Sequence, residues 1–152
     1  MTASELLLRL VFAAGIILAG AAIYYAGKRL LLARARGRTL GLENLRPGTP
    51  GVLYFTTPDC MPCKTFQRPQ LEILQRHMGD RLQVIEVDAT ERPDLANYWG
   101  VLSVPTTFII DSQGQARGMN FGTADAERLY RQICEVESMS PELSFSKEGA
   151  LQ

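Results

Sequence analysis

Three features of the amino-acid sequence predict an α/β fold, a central mixed four-stranded sheet flanked by helices, preceded by one N-terminal transmembrane helix. Residues Leu10 to Gly27, "LVFAAGIILAGAAIYYAG", form an eighteen-residue run without a charge. Residues 52–88 then read strand, helix, strand, a βαβ unit whose two strands run parallel with a right-handed crossover. Residues 106–121 read as an antiparallel hairpin and are followed by an amphipathic helix, which makes the sheet mixed.

As a helix the uncharged run rises about 27 Å, close to the thickness of a hydrocarbon core. Leu6 to Leu8 lengthen it if Arg9 snorkels to the interface, and Tyr24 and Tyr25 stand where an aromatic belt is expected. A cleaved signal peptide is the competing reading. It is disfavoured because positive charge gathers after the apolar run, in "KRLLLARARGR", rather than before it. Lys28, Arg29, Arg34, Arg36 and Arg38 precede the first following acid, Glu43, so the positive-inside rule puts the C-terminal domain in the cytoplasm. The same stretch is expected to lie along anionic headgroups with Leu30 to Leu32 dipping in, which makes membrane lipid a partner. Gly15 with Ala19 and Ala22 with Ala26 have the spacing of close helix pairing, which Ala-rich spans also show by chance.

The domain organisation that follows is an anchor over residues 1–27, a basic juxtamembrane segment and linker over 28–50, a folded domain over 51–137, and a flexible tail over 138–152. After the linker's "RPGTPG", Val52 to Phe55 is a continuous apolar strand of the kind buried in a parallel sheet. A helix over 60–78 places Phe66, Ile73, Leu74 and Met78 on one face and stops at Gly79-Asp80. "LQVIEVD", 82–88, is the second strand. A short helix over Pro93 to Trp99 ends at Gly100, and "TTFIID" turns through Ser112, Gln113 and Gly114 into "QARGMNF". The last helix starts at Thr123 or Asp125 and carries Ala126, Leu129, Tyr130 and Ile133 as its apolar stripe.

With 16 basic and 16 acidic residues, the chain offers no basic footprint for nucleic acid. The balance hides a split: residues 1–38 hold six bases and one acid, residues 39–152 ten bases and fifteen acids. Three cysteines are too few for a disulfide scaffold, and a cytosol-facing domain keeps structural thiols reduced.

Two of the three stand in "TTPDCMPCKTF". Cys60 follows a strand and opens a helix, where unpaired backbone N–H groups and the positive dipole end favour a thiolate. Pro62 suits a first turn that has no use for its N–H, and it leaves the N–H of Cys63 free to point at the Cys60 sulfur. Such surroundings lower a cysteine pKa from about 8.5 to about 3.5–7.5. Cys63, one turn on, leans toward the buried stripe, while Cys60 stays at the exposed helix tip. Cys60 is then the nucleophile and Cys63 the resolving thiol of a dithiol exchange. A zinc site needs two more ligands, and only His77, read as a solvated helix-end residue, and Cys134, read as a small buried filler, are on offer.

The segments "YFTTPDCMPCK", "LQVIEVDA", "WGVLSVPTTFIID" and "QGQARGMNFGT" resemble the thioredoxin family in order and spacing, over about residues 50–137. The resemblance implies that Pro105 is cis and faces the cysteine pair, and that the backbone of Val104 pairs with an extended substrate. It also assigns Thr106, Met61 and Pro62 to the substrate-contacting surface, and leaves Trp99 either in the core or bordering the groove. Four departures stand beside it. Asp59 replaces the tryptophan before the first cysteine: it either raises the pKa of Cys60 or merely favours the helix N-terminus. Tyr54 occupies the strand position of a buried proton-transferring aspartate. Pro69 lies six residues after Cys63 instead of five, so the helix kink is expected to shift. Residues 39–50 are too few for an additional leading strand and helix, hence the four-stranded core.

What the resemblance implies is a membrane-tethered thiol-disulfide oxidoreductase that reduces protein disulfides without a cofactor. Its electrons would come from a separate reductase or a membrane donor. Two other readings stand beside it: the same chemistry outside the cytoplasm, in disulfide handling or cytochrome c maturation, and a non-catalytic binding module using the same groove.

Overall fold

The computed structural model describes residues 3–35 and 37–139. Helix α1, Ala3–Ala35, is followed by strand β1, Gly51–Thr56, and then by a helix in two parts: a π-helical segment, Cys63–Gln67, running into α2, Arg68–Met78. A 3₁₀ turn over Gly79–Arg81 leads to β2, Gln83–Asp88, and then come α3, Pro93–Trp99, β3, Thr106–Ile110, β4, Ala116–Phe121, and α4, Ala126–Glu137. The sheet has four strands in the order β2-β1-β3-β4, with β1 parallel to β2 and antiparallel to β3, and β3 antiparallel to β4. The expected mixed sheet and its flanking helices are therefore present. The tail predicted to be flexible lies, from residue 140 onward, outside the described residues.

β1 sits at the centre and is buried along its whole length. Alternation of side chains along a strand divides its residues between two cores. Val52 and Tyr54 join Leu71, Leu74 and Met78 of α2 and Leu129, Tyr130 and Ile133 of α4. Leu53 and Phe55 face the other way, toward Leu95 and Trp99 of α3 and Phe108 of β3. Trp99 belongs wholly to this second core: it is 1% exposed, its ring lies 5.0 Å from that of Phe108, and its indole N–H donates to the Leu40 carbonyl at 2.9 Å. α3 ends in Gly100 at φ 69°, a left-handed position that an L side chain rarely adopts.

α1 does not stop at residue 27 but continues through Ala35. Lys28 to Ala35 consists only of Lys, Arg, Leu and Ala, all strong helix formers, and no breaker appears before Gly37. Leu31 and Leu32, expected to dip into lipid, instead pack with buried Ala35 against the second core; Leu30 remains exposed. Arg38 then lies over the ring of Tyr98, 5.0 Å from its centroid. The Leu7–Ala35 stretch is long and apolar enough to cross a membrane, and its most apolar window has none of its surface buried in the protein, unlike the core helix of a soluble domain. The linker after it is tied down by Gln83, whose side chain accepts from Arg46 N–H at 3.0 Å and donates to the Asn44 carbonyl at 2.8 Å.

Candidate active site

β1 ends at Thr56, and the chain turns through Pro58 and Asp59 into Cys60, whose N–H donates to the Thr57 carbonyl at 3.2 Å. The helix begins at once, with Lys64 N–H on the Cys60 carbonyl at 3.3 Å. Cys60 and Cys63 are joined in a disulfide with Cα atoms 5.3 Å apart, and the N–H of Cys63 donates to the Cys60 sulfur at 3.2 Å. Backbone geometry at the first turn thus brings the second sulfur and a hydrogen-bond donor to the first.

Cys60 is not at an exposed tip. It is 8% exposed and Cys63 is fully buried, and both belong to the core that holds Tyr54. Of the two residues Cys60 keeps the greater access. Met61, 62% exposed, and Pro62, also exposed, cap the pair on the outside. Asp59 is exposed in the turn just before.

The helix after the pair departs from the expected face. Arg68 N–H reaches back five residues to the Cys63 carbonyl, the bond of a π turn. Burial runs from Cys63 to Gln67 to Leu71, and Phe66 is left 42% exposed. The one residue by which Pro69 lies further from Cys63 than the resemblance expects is taken up in this widened segment, and Pro69 stands in the first turn of α2. Gln67, brought fully inside, is satisfied by one backbone unit: its amide donates to the Ala124 carbonyl at 3.1 Å and accepts from Ala124 N–H at 2.8 Å. Periodicity gave no warning of Gln67, because a glutamine at this place reads as a polar surface residue.

The Val104–Pro105 peptide is cis, as the resemblance implied. Val104 is half-buried and packs against the core that contains both cysteines, and its backbone N–H and C=O take no part in a backbone hydrogen bond among the described residues. Pro105 is buried, with its carbonyl accepting from Gly122 N–H at 2.9 Å. Thr106 is fully buried and donates its hydroxyl to the Ser103 carbonyl at 2.7 Å, so it shapes the loop from behind and offers no side chain to the surface. Leu102, in the same loop, is 79% exposed; nothing in its local sequence distinguishes it from a buried leucine.

Tyr54, paired with Glu86 across the parallel ladder, is fully buried, and among the described residues its phenolic oxygen has no hydrogen-bond partner. Burial raises its pKa above the ordinary 10.0; the Thr56 side chain opposes this in part, and the charge of Glu86 reinforces it. The residue is therefore a neutral phenol at physiological pH, and it holds its proton more tightly than a free tyrosine. His77 is not solvated: it is half-buried, with its ring edge-on to Tyr130 at 5.0 Å. Cys134 is a buried free thiol in α4. Among the described residues no group of three or more His, Cys, Asp or Glu side chains is arranged to hold a metal ion.

The family model for thioredoxin matches residues 43–135 of this chain. A thioredoxin of Bacillus subtilis is 39% identical over 56 residues, which are 37% of this chain and 53% of that protein, so the chain spans about half the length of this relative. Thioredoxin 1 of a Nostoc species is 31% identical over 97 residues, 64% of this chain and 89% of that protein. Among solved structures, the oxidised form of mitochondrial thioredoxin 3 from Saccharomyces cerevisiae superposes with a TM-score of 0.54 at 28% identity, covering 63% of this chain and 88% of that one.

Proposed function

The chain belongs to the thioredoxin family, and on that premise we propose that it is a membrane-tethered thiol-disulfide oxidoreductase that reduces protein disulfides. The observation that carries the proposal is the Cys60–Cys63 disulfide at a helix start, with the Cys63 N–H on the Cys60 sulfur. In the reduced protein the same N–H and the helix dipole favour the Cys60 thiolate. That thiolate attacks one sulfur of the substrate disulfide. The substrate S–S bond breaks, a mixed disulfide forms, and the leaving thiolate takes up a proton. Cys63 then loses its proton, attacks the Cys60 sulfur and releases the second substrate thiol, so that the substrate gains two electrons and Cys60–Cys63 becomes the disulfide. An external dithiol, from a reductase or a membrane donor, resets the pair.

The free backbone of Val104 beside the cysteines supports a role in holding an extended substrate by strand-like pairing, with Met61 and Pro62 at the rim. Tethering is supported by the length and apolarity of α1. The run of cations from Lys28 to Arg38 supports a cytoplasmic domain. A phosphatase fused to the C-terminus, active only outside the cytoplasm, tests the sidedness: an active fusion would reject it.

Insulin reduction by the detergent-solubilised chain with dithiothreitol as donor tests the chemistry. Wild type is expected to turn over, Cys60→Ser to be inactive, and Cys63→Ser to accumulate a mixed disulfide with insulin through Cys60. A Cys60→Ser protein as active as wild type would remove the proposed mechanism.

A further inference from the structure

Between α1 and the loop leading into Val104–Pro105 lies a groove of about 380 Å³. Ile23, Tyr24 and Leu31 of α1 form one wall, and Leu102, Ser103 and Phe121 form the other. Gly27 lies along it, and a Cβ added there would meet nothing within 4 Å, so the helix surface is open at this turn. Its lining is almost wholly apolar, and the Leu102 beside it stays 79% exposed, an arrangement unfavourable against water. Lys28 is the one charged residue lining the groove, and it is half-buried there.

The groove continues an apolar face. Below it on α1, Ile16, Ile17 and Leu18 are exposed in the stretch that the tethered reading places in the bilayer, and the present inference rests on that reading. About twenty helical residues cross a hydrocarbon core of about 30 Å. Counted from Leu7, that length ends near Ala26, so Ile23 and Tyr24 stand at the edge of the hydrocarbon, Gly27 and Lys28 at the level of the headgroups, and the groove spans the boundary between them. No acid follows Glu5 in α1, while Lys28, Arg29 and Arg34 do, which makes this level of the helix cationic. The volume falls at the lower end of the roughly 300–1,000 Å³ in which apolar ligands are held.

We propose that this groove takes an acyl chain of an anionic phospholipid, with the headgroup phosphate paired to Lys28. The lipid joins α1 to Leu102 and Phe121 and seats the loop before Pro105 on the bilayer surface. That orientation directs the cysteine pair to disulfides in the segments of membrane proteins that first emerge from the bilayer.

The test uses the full chain in vesicles of phosphatidylcholine and phosphatidylglycerol, the latter bearing a photoreactive group on its acyl chain. Irradiation is expected to label α1 and also the peptides containing Leu102 and Phe121. Lys28→Glu is expected to cut labelling of those domain peptides at least about fivefold, the factor that one lysine near an anionic surface is worth, and Leu102→Asp, which removes an apolar lining residue, at least about as much, while labelling of α1 persists. Leu102 is exposed, so its substitution does not disturb the core. Label confined to α1 would overturn the lipid groove and leave the tethered reading standing. A chain that neither floats with the vesicles nor takes label anywhere would refute the tethered reading, and the groove with it.

Discussion

Replacing Tyr54 by phenylalanine should make the domain more stable. The ring is fully buried at the centre of β1, and only the hydroxyl changes, so packing is retained. That hydroxyl has no hydrogen-bond partner among the described residues, and a buried polar group in such a state costs about 1–3 kcal/mol. Tyr54→Phe should recover about 1–2 kcal/mol of this, which for a domain of this size raises the Tm by about 4–8 °C per kcal/mol. Trp99, the only tryptophan, is 1% exposed, so its fluorescence reports unfolding of this domain in urea. At a urea slope of about 2 kcal/mol/M the midpoint should rise by about 0.5–1 M.

The alkaline side supplies an independent check on the same residue. Burial raises the Tyr54 pKa above 10.0 in the folded protein, so the native state holds the phenolic proton more tightly than the unfolded chain does. This contribution is intact below about pH 10 and is lost as the pH rises through the folded value. Wild type should therefore lose its stability above pH 10 more steeply than Tyr54→Phe. A variant less stable than wild type at neutral pH, with the same alkaline slope, would refute the reasoning by showing that the phenol is satisfied.

Two further substitutions probe the helix that carries the cysteines. Gln67→Ala leaves the N–H and C=O of Ala124, itself 2% exposed, without their side-chain partners, and should cost about 2–4 kcal/mol, with amide exchange at Ala124 accelerated; unchanged exchange there would contradict the pairing. Asp59→Asn removes a negative charge from the turn beside Cys60 and should move thiolate formation in the reduced protein to lower pH, read from thiolate absorbance; an unshifted titration would make Asp59 a simple helix-start carboxylate.

Much of the fold was legible because its signals are local. Val52 to Phe55 is too continuously apolar for a surface strand, and Pro93, Gly100 and the Ser112–Gly114 turn mark ends that no distant contact needs to set. The cysteine pair was legible for the same reason: spacing, the preceding strand and Pro62 define the first turn by themselves. The core role of Trp99 was not, since its choice of the second core over the groove rests on Phe108 of another element and on the Leu40 carbonyl far back in the chain.

From its residues alone this chain specified the order of its elements, the mixed sheet and the placement of two sulfurs one helical turn apart, all consequences of backbone preferences acting over a few residues. Tertiary structure decided which way those elements face. Cys63 must be buried beside Val52 and Tyr54 of the central strand and Leu71 in the same core as the apolar stripe of α4, and the five residues of the π segment widen to satisfy both ends, turning Gln67 in and Phe66 out. The second core likewise draws Leu31 and Leu32 away from the lipid they were expected to meet. Periodicity records how apolar a face is. It does not record which surface will cover that face, because the cover comes from residues far along the chain.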